Sequence, residues 1–179
     1  MITPEILVAY TQCKLKAFLL LCTDKKGVAH EYTLILKEES RKNKEKYLQN
    51  LKLKFPEAIL YSPEKIKKGI PVLLEAVLIF DNLKASAVVL TKDEKNSSPR
   101  KHNYAPIIVV GTHKISKEQK LQLAFVAYIL SKLQQEKPVS GIIVGSGDKA
   151  NTIKLEAFYK EIDTILKNNK HPRRKRTGY

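Results

Sequence analysis

The stretch Tyr104-Ala-Pro-Ile-Ile-Val-Val-Gly-Thr-His-Lys-Ile-Ser-Lys-Glu-Gln-Lys-Leu-Gln-Leu-Ala-Phe-Val-Ala-Tyr-Ile-Leu130 decides how the rest of the chain is read. Residues 107–110 are Ile-Ile-Val-Val, all β-branched, and such side chains favour extended backbone. The run does not alternate with polar residues, so it predicts a strand buried on both faces. Gly111 and Thr112 end it. Ser116 stands three residues before Gln119, the spacing of a capping box, and a helix is expected from about Lys117 to residue 135. From Leu121 to Leu130 that helix is apolar almost all round, which predicts burial. Gln122 is the only strongly polar side chain in that run and is expected to be a buried amide. A buried strand, a basic turn and a buried helix carrying one amide are read either as a site or as plain core.

Downstream, Pro138 closes the helix, residues 139–145 and 151–155 read as strands around a Ser146-Gly147-Asp148 turn, and 156–166 as a last helix. Upstream, 72–80 and 85–91 are strands joined by Asp81-Asn82, and 92–103 is a polar loop. Thr3-Pro4-Glu5 opens a first helix, expected to run on to Leu21 with Cys13 in its middle. A second helix from about His30 to Leu53 carries Tyr32, Ile35 and Leu36 on an apolar side and a dense charged face toward solvent, and Phe55-Pro56 breaks it. This order predicts an α/β fold with a mixed central sheet of about five strands and flanking helices. One domain is expected over residues 1–168, with 169–179 a basic, disordered tail.

The 179 residues are 43% hydrophobic, enough for a core, and carry a formal charge of +15. Lys170, Arg173, Arg174, Lys175 and Arg176 contribute +5, so the domain itself keeps +10. Such a surplus favours a polyanionic partner, nucleic acid before an anionic membrane, although lysine-rich chains also use Lys simply as a solubilising residue. Cys13 and Cys22 are the only cysteines and form no Cys-x-x-Cys pair, so a reducing cytoplasm is the expected location. No apolar run approaches the roughly 18 to 20 residues of a membrane span, so no membrane partner is expected.

Several short patterns recur in a telling order: Tyr10-x-x-Cys13-x-x-x-Ala17-Phe18-Leu19, then Gly27-x-x-His30-Glu31. Tyr104-x-Pro106 follows with Gln119, Gln122-Leu123 and Tyr128, and last Gly141-Ile-Ile-Val-Gly145 with Thr152-Ile-Lys-Leu155. Together they resemble the RecB-like nucleases of the PD-(D/E)XK superfamily over nearly the whole chain. The resemblance is nearest to those at the front of longer proteins with ribonuclease H-like and helicase regions, and more distant to the CRISPR-associated exonucleases. It implies a restriction-endonuclease-like core, Mg²⁺- or Mn²⁺-dependent phosphodiester hydrolysis, DNA rather than RNA as partner, a role in DNA repair, and further domains in a longer protein.

That chemistry needs an Asp ending the second core strand and an acid-x-Lys pair on the third, to hold the cation and orient water. The chain departs from the pattern at each place. Residues 85–89 hold no carboxylate and 107–110 neither acid nor Lys, so the expected positions are occupied by Ala87, Val88, Ile108 and Val110. His30 matches a metal-ligating His of the family and Gln122 its helix Gln, but a His without carboxylates suits a hard cation poorly. Asp81, Asp93, Glu94 and Glu118 flank strand ends and would have to supply any relocated site. Relatives also hold an iron–sulfur cluster on one early and three later cysteines. Cys13 would be one ligand in a longer form, and this chain alone, with no Cys after Cys22, is not expected to bind a cluster. The shortage of later cysteines is read as a domain boundary, a truncation or an altered C-terminus.

The expected function is therefore nucleic-acid binding by a catalytically inactive nuclease-type domain without a cofactor. Phosphate contacts are expected from Lys114, Lys117 and Lys120 at the turn and helix start, with His113 and Tyr104 adding stacking or hydrogen bonds. Arg173, Arg174, Lys175 and Arg176 would add sequence-independent affinity. The alternatives are an active metal-dependent nuclease with relocated acids, and a scaffold segment that docks a larger protein without touching nucleic acid.

Overall fold

The structure is a computed structural model that describes residues 1–23, 27–28, 30–94, 97 and 101–169. The arginines at 173, 174 and 176 and Lys175 lie outside the described residues. Helices α1 (Pro4–Gln12), α2 (Lys14–Cys22) and α3 (Glu31–Lys54) lead into a two-residue strand β1 (Ile59–Leu60) and a short helix α4 (Pro63–Lys67). Strands β2 (Val72–Phe80), β3 (Leu83–Lys92) and β4 (Tyr104–Val109) follow. Helix α5 (Lys117–Gln134) connects β4 to β5 (Ser140–Val144), and a tight turn over Ser146–Asp148 leads to β6 (Ala150–Lys154) and α6 (Glu156–Asn169). The fold is α/β, an open mixed sheet of six strands in the order β1-β2-β3-β4-β5-β6. β2, β3 and β4 form an antiparallel meander, β4 and β5 are parallel across α5, and β5 and β6 are an antiparallel hairpin.

β4 lies inside the sheet and is buried on both faces, as its unbroken β-branched run predicts. Ile108 and Val110 join the large core that α1, α5 and α6 build on one face, together with Leu7, Phe125 and Ile162. Ile107 and Val109 join the smaller core under α3 on the other, with Leu51 and Val89. The capping box at the start of α5 is complete: Ser116 Oγ accepts from Gln119 N–H at 3.2 Å, and Gln119 Oε1 accepts from Ser116 N–H at 2.9 Å.

Three sequence expectations need correction. The first helix does not run through Cys13, which is extended at φ −158° and separates α1 from α2. α1 buries Ile6 to Ala9 within one turn, whereas Ala17 is the one buried residue of α2, so the two segments cannot share one continuous apolar stripe. Second, β1 and α4 were not expected. β1 is an exposed pair held by backbone hydrogen bonding to β2, which leaves little pattern in the side chains. Third, the apolar side of α3 is not covered along its first half, where Tyr32, Leu34 and Ile35 are exposed.

The β2–β3 hairpin has an irregularity that simple alternation misses. Leu74 pairs with Val89 and Ala76 with Ala87, while Glu75 and Val88 between them do not pair. Glu75 stands at φ +52°, a region that branched or bulky residues rarely occupy. The side chains change phase there. Leu73 and Ala76 on β2, and Ala87 and Leu90 on β3, all point into the large core. The Glu75 carboxylate is held by Lys44 of α3 at 2.7 Å, which lowers its pKa.

Candidate functional site

The site region lies beyond the carboxyl end of β4, where parallel β4 and β5 diverge into their connections. Open α/β sheets commonly bind ligands at such carboxyl ends. Three backbone arrangements shape it. Ser146 N–H donates to Thr112 O at 3.0 Å, which ties the β5–β6 turn to the β4–α5 turn. That approach requires Gly145, since a Cβ there would stand 2.8 Å from Thr112 O. On the other side α3 is seated on the strand end: Ser40 Oγ donates to Val109 O at 3.2 Å and Asn43 Nδ2 to Val110 O at 3.0 Å. Gly111 permits this contact, because a Cβ there would lie 2.6 Å from Leu36 O.

The two turns border an open groove of about 570 Å³ lined by His113, Lys114, Lys120, Lys149, Asn151 and Thr152, with no carboxylate among the described residues of its lining. Lys114 and Lys120 thus come together as expected. Lys117 does not join them. It is one turn displaced on α5 and lies 3.7 Å from Glu161 of α6. Its place is taken by Lys149, which sequence reading missed. Lys149 is far away in the chain and reaches the groove only through the pairing of β5–β6 beside β4. Its neighbour Asp148 is held by Lys46 of α3 at 2.7 Å and does not line the groove.

Tyr104 cannot serve as a stacking group. It is buried, its hydroxyl donates to Ile70 O at 2.8 Å, and burial, with Glu94 adding to it, pushes its pKa up to about 12. His30 caps α3, its Nδ1 accepting from Tyr32 N–H at 3.2 Å. Gln122 is half-buried on a cavity wall rather than fully buried, and its amide makes no hydrogen bond among the described residues. The buried amide of α5 is Gln134. Its Oε1 accepts from Tyr104 N–H at 2.9 Å, and its Nε2 donates to Glu136 O at 2.9 Å.

A second cavity, of about 450 Å³, opens where the resemblance puts a catalytic centre, between α1, α3, β3, β4 and α5. Val88, Ile108 and Val110 line it, while Ala87 is buried in the large core. Among the described residues of its lining, Glu5 and Lys37 are the only titratable groups. One carboxylate opposite one ammonium does not fit a divalent cation, which needs several hard oxygen ligands. The acids at strand ends do not converge either. Asp81 follows β2, and Asp93 and Glu94 follow the far end of β3, about 30 Å away at the rise of an extended strand. Asp81 instead borders a cavity of about 590 Å³ with Tyr128, Lys132 and Asp163. There Tyr128 OH donates to Asp163 Oδ1 at 2.9 Å. Among the described residues no group of three or more His, Cys, Asp or Glu is placed to hold a metal ion. Cys13 and Cys22 are free and exposed.

Fold and cavities define an α/β protein with a groove carrying three lysines next to a pocket lined mostly by neutral residues. The chain matches no protein-family model, and no curated protein matches it. Among the described residues no helix is long and apolar enough to cross a membrane.

Proposed function

We propose that the chain is a nucleic-acid-binding domain related to the RecB-like nucleases, with a restriction-endonuclease-like core from which the catalytic acids and Lys have been lost. It acts in the cytoplasm, on DNA in preference to RNA, within DNA repair and alongside further domains of a longer protein. The observation that carries this reading is the groove formed by His113, Lys114, Lys120 and Lys149, with no carboxylate among its described lining residues. Three ammonium groups in one concave surface recognise a chain of phosphates, and neutralising each phosphate releases counterions. The strand–turn–helix order supports the nuclease-type core, and the apolar residues at the acid positions support the absence of its chemistry.

The test is binding to duplex and single-stranded DNA across a salt series. Replacing Lys114, Lys120 and Lys149 together with Ala should weaken binding and flatten the log–log salt slope by about 2 to 3 units, at about 0.9 per phosphate on duplex DNA. Lys117→Ala should change it less than any of these. An unchanged slope in the triple variant would remove the groove as the docking surface. Incubation with Mg²⁺ or Mn²⁺ should leave DNA intact. Cleavage lost in Asp81→Ala or Asp93→Ala would instead establish relocated chemistry.

The scaffold reading has one observation in its favour. Leu15, Phe18 and Leu19 of α2 and Tyr32, Leu34 and Ile35 of α3 are exposed. Several exposed apolar residues on one short helix, as on α2, are a feature of docking surfaces. Slower amide exchange over α2 in a longer form of the protein would support this; identical exchange would dismiss it.

A further inference from the structure

The groove and the pocket beside it handle opposite chemistry, and they share a wall. Thr112 lines the pocket and His113 the groove; Gln119 lines the pocket and Lys120 the groove. Consecutive Cα atoms are about 3.8 Å apart, so the two cavities adjoin along the backbone at residues 112–113 and 119–120. The pocket floor is apolar, with Val88, Ile108, Val110 and Val126. Its polar lining is largely neutral, and part of it is already engaged. Gln119 Nε2 donates to Thr112 Oγ1 at 2.9 Å, and Ser40 Oγ donates to Val109 O. The Gln122 amide and the hydroxyls of Ser86 and Thr33 line the same pocket and hydrogen-bond to nothing among the described residues.

A nucleotide has this two-part character: an anionic phosphate, and a neutral flat base with apolar faces and a donor–acceptor edge. A glutamine amide carries both donors and an acceptor and can pair with such an edge. From this geometry we infer that the pocket takes one unpaired nucleobase of a single strand whose phosphates run through the groove. The inference rests on the nucleic-acid reading of the groove and adds what that reading lacks, a preference for unpaired bases. A base inside a duplex has its pairing edge engaged and both faces stacked, and must leave the stack to enter a pocket.

The test compares a labelled oligo(deoxyadenylate) strand with a strand of equal length made of abasic sites, on the full chain at one salt concentration. The backbones carry the same charge, so the groove alone cannot tell them apart. The base-bearing strand should bind about tenfold more tightly, in the range that base contacts give in single-strand binding proteins. Gln122→Leu should close most of that gap and leave the abasic strand unaffected. Ser86→Leu, at an exposed position of the pocket lining, gives a second variant that narrows the pocket without substituting a residue of α5. Equal binding of the two strands by the unaltered protein would overturn the base pocket and leave the groove standing. A gap that persists in both variants would also overturn it. If neither strand binds, groove and pocket fall together.

Discussion

Two apolar helices of this chain meet opposite fates. In α5 the residues from Leu121 to Leu130 are buried apart from Gln122, and Phe125 is 0% exposed. In α2, Lys-Leu-Lys-Ala-Phe-Leu-Leu-Leu-Cys, only Ala17 is buried and Phe18 is 48% exposed. Composition does not separate them. Position does: α5 crosses between two parallel strands and must lie on the sheet, whereas α2 follows a break at Cys13 and packs chiefly on α1, with Ala17 alone buried. Apolar content states that a surface seeks cover, and topology decides whether the chain supplies it.

The contrast can be broken most forcefully at Phe125. Phe125→Ala should cost about 3 to 5 kcal/mol, read by urea unfolding, because the cavity it leaves cannot collapse within a packed core. A loss below about 1 kcal/mol would mean that α5 is not the tightly packed element described. Next comes Gly111→Ala, whose added methyl meets the α3 backbone at Leu36. It should cost about 1 to 3 kcal/mol and loosen α3 from β4, visible as faster amide exchange in α3.

The third effect concerns the tyrosine that joins β4 to the segment before β2. Tyr104 is held protonated in the fold, with its pKa pushed up to about 12 against 10.0 in its ordinary state. A raised value favours the folded state fully below pH 10 and less and less as pH climbs from there through about 12. Stability should therefore fall over that window. Tyr104→Phe should lower stability near neutrality by about 1 kcal/mol through the lost bond to Ile70 O, and should soften the alkaline fall. The smallest effect is expected at Phe18. Phe18→Ala should change unfolding by no more than about 0.5 kcal/mol, and a larger loss would show that α2 is covered in solution.

Sequence reading succeeds where one local signal suffices. Four β-branched residues without alternation locate β4, and Ser116 with Gln119 locates the start of α5. It fails where the decisive partner is distant. Lys149 enters the basic groove only because β5 and β6 fold beside β4, while Lys117 stands outside its lining, near Glu161 of α6. Gln134 looks like an ordinary helix-end residue until Tyr104 is placed next to it, and it takes the buried-amide role expected of Gln122. Val88, Ile108 and Val110, singled out in the sequence, line one cavity. The size of that cavity, and the free amide in it, were not.

The unpaired residues Glu75 and Val88 give the β2–β3 hairpin an internal index mark. Regular hairpins can slide by one residue with every hydrogen bond re-formed, and only the swapped faces oppose the slide. Here each strand changes phase at the same level, so the ribbon behaves as two short hairpins joined back to front. Sliding one strand by a residue would set the two phase changes at different heights. Between them side chains of opposing sense would face each other across the ribbon. The hairpin is keyed like a lock with one notch, and the Lys44–Glu75 contact fastens the notch to α3.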